Sequence, residues 1–116
     1  MDVFEQGEDI LRTVTLSTDG TVADTADFLT IDVRVYHKRT KADIGTYSVA
    51  GATVTKEAPT TAGIITFIVS RTECQSATTG IYSYEIETTE TDADYTGGVR
   101  GRKFIGDCFR LVETNE

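Results

Sequence analysis

Thr79-Gly80-Ile81-Tyr82-Ser83-Tyr84-Glu85-Ile86 combines a turn signal, two tyrosines at period two and a strand that runs out among acids. Gly80 supplies backbone freedom at the turn. After it, Tyr82, Tyr84 and Ile86 alternate with Ser83, Glu85 and Glu87, which is the period of a half-buried strand. The first set is expected inward and the second outward. The stretch therefore predicts the entry to a central strand of a β-sandwich.

Beyond it, Thr88 to Gly98 is acidic and threonine-rich and reads as a long hairpin tip ending in Gly97-Gly98. The return carries Arg100, Arg102 and Lys103. A last strand is predicted with Ile105, Phe109 and Leu111 inward, Asp107 as the exception and Gly106 as a bulge. Before the opening stretch, Arg71 to Ala77 predicts one helical turn capped by Ser70 or Thr72. Ile64 to Ser70 has Ile65, Phe67 and Val69 on one face and Ile64 and Ile68 on the other, so it is either a central strand or one covered by a partner.

Pro59 bars strand pairing in the connection before Gly63. Short strands are expected at 44–49 and 52–56. The clearest alternation begins at Phe28, with Leu29, Ile31, Val33 and Val35 facing one way and Thr30, Asp32, Arg34 and Tyr36 the other. Thr21 to Asp27 reads as a loop or weak edge segment, following the tight turn at Asp19-Gly20. The first strand spans 10–17, with Ile10, Val14 and Leu16 on one face. About seven strands at roughly 8–12-residue spacing predict an all-β antiparallel sandwich. It forms one domain over 1–116, with a flexible lead-in at 1–9 and a hairpin arm at 88–103.

The bulk composition agrees with this and narrows the function. A chain of 116 residues fits one domain, and its 39 % apolar content is mostly Val, Ile, Phe and Tyr, which suit pleated strands. A net charge of −8 argues against wrapping nucleic acid, whose phosphates are held mainly by Lys and Arg. No run of about 18 apolar residues spans a membrane. The N-terminus is acidic where a secretory signal is basic and then apolar, so the chain is expected to stay where it is made. In a reducing compartment Cys74 and Cys108 are expected as free, buried thiols.

The inventory for catalysis is thin. His37, the single histidine, stands beside Lys38 and Arg39 with no nucleophile nearby, and is expected to be a solvated turn residue. Cys74, Cys108 and His37 lack the paired spacing of a zinc site. Glu85 and Glu87 fall on outward strand positions, where carboxylates serve solubility and edge protection. Asp92-Ala93-Asp94-Tyr95-Thr96-Gly97 opens like a calcium loop, but Lys103 stands where the bidentate carboxylate belongs. No enzymatic activity, cofactor, metal or small-molecule substrate is expected. Arg100, Arg102 and Lys103, and the patch of Arg34, Tyr36, His37, Lys38, Arg39 and Lys41, are candidate contacts for an acidic partner. Their other reading is a mixed, solvated surface.

The order of these segments, and above all Gly80-Ile81-Tyr82-Ser83-Tyr84-Glu85-Ile86, resembles the immunoglobulin-like domains of tailed-phage virion proteins. These include the N-terminal domain of baseplate upper proteins and small tail or head-decoration modules. The lead-in Phe4-Glu5-Gln6-Gly7-Glu8-Asp9 is similar as well. In this family likeness Tyr82 takes the place of a corner tyrosine, whose hydroxyl bonds the backbone just upstream. Gly80, Tyr82 and Tyr84 become structural residues, and Tyr84 stands where antibody-type domains have a cysteine. The resemblance implies a non-enzymatic structural protein of the virion, made in the host cytoplasm. Its partners are other virion proteins and copies of itself, bound through the cationic residues and through Ile64, Ile68 and Ile81. The alternative is a sandwich that binds a carbohydrate or host-surface ligand through its loops.

Overall fold

Strand takes up 56 % of the residues described, 1–114, in the computed structural model, and the α-helix is a single turn. The core is consequently built mainly from strand residues. Strands β1 (Val3–Glu5), β10 (Val99–Val112), β9 (Gly80–Thr91), β5 (Phe28–His37) and β6 (Asp43–Ser48) lie in that order in a curled, mixed sheet of five. Strands β2 (Ile10–Thr15), β8 (Ile64–Val69) and β7 (Val54–Lys56) form a second sheet of three. β3 (Ser17–Thr18) and β4 (Thr21–Val22) make a small ribbon, and α1 spans Arg71–Cys74.

The inner faces of the two larger sheets share one cluster. Ile31, Val33, Val35, Tyr82, Ile86, Phe109 and Leu111 from the five-stranded sheet meet Ile10, Val54, Ile65, Phe67 and Val69 from the other. Tyr47 bridges the sheets by stacking on Phe67, with ring centroids 5.4 Å apart. Its hydroxyl donates to Glu73 at 2.8 Å, and burial, then that bond, pushes the phenol's pKa up. Glu73 also completes a capping box with Ser70 at the start of α1, so one carboxylate anchors both the turn and the tyrosine.

Several expectations are corrected. The main sheet is mixed rather than wholly antiparallel, because Val3–Glu5 of the lead-in pair in parallel with Arg110–Val112. The anchor is Phe4, whose ring meets Phe109 edge-on at 6.1 Å. Leu29 is 59 % exposed while Phe28 is buried, because the pairing of β5 with β9 shifts register between Phe28 and Thr30. Tyr36, expected outward, is buried under the Arg34 guanidinium, 4.5 Å from its ring centroid.

Ile105 points out, at 63 % exposed, and Phe104 packs on the core instead. The bulge of β10 falls at Cys108, between Asp107 and Phe109, rather than at Gly106. One extra residue inverts the alternation, so that Cys108 and Phe109 both face inward. Gly106 has a different reason to be glycine. A Cβ there lies 2.6 Å from the Tyr84 hydroxyl, and the tyrosine ring occupies that space.

Candidate functional site

At the end of the main sheet where β5 finishes and β9 begins, three segments meet around His37. Its ring is buried, which overturns the solvated turn expected from its basic neighbours. The backbone N–H groups of Arg39 and Thr40 both donate to Nδ1 at 3.2 Å, which places the ring proton on Nε2. That nitrogen then donates to the Thr79 carbonyl at 3.0 Å. One imidazole thus ties the 37–40 turn to the turn that opens β9.

Tyr82 completes the corner. Its hydroxyl donates to the Thr78 carbonyl at 2.7 Å, its ring stacks on Phe109 at 5.2 Å, and His37 sits edge-on to it at 5.2 Å. Burial raises the phenol's pKa, so it stays protonated and able to donate. Tyr82→Phe is expected to lower stability by about 1 kcal/mol, the net worth of one hydrogen bond. Urea denaturation of the two proteins measures it, and unchanged stability would show the bond to be idle.

Beside this corner opens a cleft of about 520 Å³. Gly80, Ile81 and His37 form its floor, and Lys38, Arg39 and Arg110 stand at its rim. Lys38 is bonded to Asp107 at 3.0 Å. Among the described residues, Arg39 and Arg110 have no carboxylate within ion-pair distance. Arg110 is the cleft residue that sequence reading missed, since its position opposite Ile81 depends on the bulge at Cys108.

The outward face of the same sheet is a lattice of paired charges around a concavity of about 280 Å³ lined by Asp32, Arg34, Thr46, Ser48, Glu85 and Glu87. Lys103 bonds Glu85 at 2.9 Å and reaches Glu87 at 3.5 Å, while Arg34 bonds Asp43 and lies 3.8 Å from Glu85. The Lys103 bond holds the Glu85 carboxyl below its ordinary range, and the Lys38 bond does the same for Asp107. Groups with depressed pKa stabilise the fold above their unfolded values, and that stabilisation is lost as pH falls through the folded ones. The urea midpoint is expected to hold near neutrality and to decline below about pH 4.5, the ordinary glutamate value. High salt should flatten the decline, because these pairs are exposed. A midpoint that stayed level down to pH 3 would show that the lattice contributes nothing.

The other candidate residues are spread out. Arg102 lies 3.6 Å from Glu90, also bonds Thr18, and sits over the Phe104 ring; Arg100 lies over Tyr95. These two and Lys103 belong to the hairpin limb, toward the opposite end of the sheet from Lys38, Arg39 and Ile81. Ile68 is 52 % exposed beside Leu11 on the outer face of the three-stranded sheet, and Ile64 is half-buried there. Tyr84 is half-buried against Gly106.

The calcium-like loop is a self-contained hairpin tip. Asp92 accepts the Asp94 N–H on its side chain, and its own N–H bonds the Gly98 carbonyl. No group of three or more His, Cys, Asp or Glu side chains that could hold a metal occurs among the described residues. Both cysteines are free and buried. Burial pushes the Cys108 thiol up to about 12, so it stays protonated at neutral pH. No helix among the described residues is long and apolar enough to cross a membrane. Comparison with protein-family models, with curated proteins and with solved structures finds no match to this chain.

Proposed function

We propose that this chain is a non-enzymatic structural module of a tailed-phage virion, built as an immunoglobulin-like sandwich and held in a symmetric assembly by protein–protein contacts. The virion role rests on the resemblance of Gly80-Ile81-Tyr82-Ser83-Tyr84-Glu85-Ile86, and the observation that supports the sandwich is the strand order around the corner. One sheet runs β1-β10-β9-β5-β6 and the other β2-β8-β7, and with β1 set aside as an added edge strand this order supports a reading as the G-F-C-C′ and B-E-D layers of immunoglobulin-like domains. Tyr82, bonded to the backbone four residues upstream, occupies the corner position of that topology. His37 ties two turns, Glu73 caps a helix, and both thiols are buried, so these four residues serve the fold.

On this reading the protein is made in the host cytoplasm and ends in the particle, among other virion proteins and copies of itself. Mass spectrometry and imaging of particles from the source test it, with the chain expected as a stoichiometric component. A chain absent from every particle overturns the proposal. Glycan-array binding that disappears on altering Tyr95 or Arg102 would replace it with the carbohydrate- or host-surface-binding alternative.

A further inference from the structure

One end of the main sheet carries aspartates, and the other a small cationic cleft with Glu5 and Glu113 at the same end. The strand register sets Phe28 beside Glu90 and Val99 beside Thr91 at one end, with His37 beside Tyr82 and Leu111 beside Gly80 at the other. Beyond the first end projects the 92–98 tip, carrying Asp92, Asp94 and Tyr95, and Asp27 lies just before Phe28 at the same end. None of these three aspartates has a cationic partner among the described residues. Tyr95 is 46 % exposed at this tip. The second end holds the cleft rimmed by Lys38, Arg39 and Arg110. The molecule is 54 Å long and 28 Å across in both other directions.

We infer that the acidic hairpin tip of one copy docks in the basic cleft of the next, joining copies head to tail. The cleft has an apolar floor at Ile81 and two guanidinium groups with no carboxylate at ion-pair distance among the described residues, which suits an aromatic ring flanked by carboxylates. The tip presents Tyr95 directly after Asp94, with the Arg100 guanidinium 5.4 Å from its ring centroid on one side. Other acidic partners could meet the rim, but the chain itself carries the matching segment at the far end of the same sheet. A joint between two different surfaces leaves a free tip and a free cleft on every pair, so it propagates into a ring or a filament. Opposite charge also guides the ends into register. The contact rests on the assembly reading above and gives it a specific joint.

Light scattering on the purified chain at low ionic strength is expected to show species larger than the monomer. These should dissociate in about 1 M salt, where the screening length is about 3 Å. Asp94→Lys, which disables the tip, and Arg110→Ala, which disables the cleft, are each expected to give monomers with unchanged thermal unfolding. Arg39→Ala provides a second cleft variant should Arg110→Ala unfold. An equimolar mixture of tip and cleft variants retains one good tip and one good cleft, and is expected to stop at a one-to-one dimer. A wild-type chain that is monomeric at every concentration overturns the joint, as do single variants that assemble like wild type or a mixture that stays monomeric. The joint and the virion reading fail separately: particles that contain a chain monomeric in isolation sink only the joint, whereas an assembling chain found in no particle sinks only the virion reading.

Discussion

Phe109→Ala is expected to cost about 3–5 kcal/mol of folding free energy, the range for emptying an aromatic site in a closed core. Domains of this kind have only about 5–15 kcal/mol in total, so the variant should be near the edge of folding. Phe109 is fully buried, with Tyr82 stacked on one side and Phe4 edge-on at the other. Its removal leaves a cavity between the corner and the β1 anchor, and neither neighbour can follow the missing ring. Tyr82 is fixed by its bond to Thr78, and Phe4 by the pairing of β1 with β10. Phe109→Leu should cost less, because most of the volume is kept. Urea denaturation of both variants measures this, and a loss below about 1 kcal/mol for Phe109→Ala would show that the site collapses around the gap.

Where strands are straight, the sequence pattern was sufficient. Ile31, Val33 and Val35 in β5, and Ile65, Phe67 and Val69 in β8, are inward as their alternation predicts. The helical turn was legible, and of the two caps offered, Ser70 and Thr72, the structure uses Ser70, because serine followed three residues later by glutamate closes a capping box. What could not be read depends on register. Cysteine is no bulge signal, so one extra residue at Cys108 inverted the expected faces of Ile105 and Phe104. The same inversion sets Arg110 at the cleft. Phe4 was hidden among acids, and its parallel pairing joins segments more than a hundred residues apart. His37 looked solvated because Lys38 and Arg39 follow it, yet the turn it belongs to folds back over its ring. The cleft needs three segments remote in sequence, and no local pattern reports their meeting.

Gly80→Ala, at the residue that opens β9, is expected to destabilise by about 2–4 kcal/mol through two separable causes. Gly80 has φ of +133°, a region nearly closed to residues with a Cβ, and strain there costs on the order of 1–3 kcal/mol. In addition, the new Cβ falls 2.6 Å from Nε2 of His37, too close for both to keep their places. If the ring yields, it loses the Thr79 carbonyl, a bond worth about 1 kcal/mol net. A double-mutant cycle separates the two contributions. His37→Ala removes the clashing ring, so Gly80→Ala in that background should carry the backbone strain alone and cost about 1 kcal/mol less than in the wild type. Effects that add to within about 0.3 kcal/mol would show that the alanine and the imidazole do not meet, and that backbone geometry alone requires glycine at position 80.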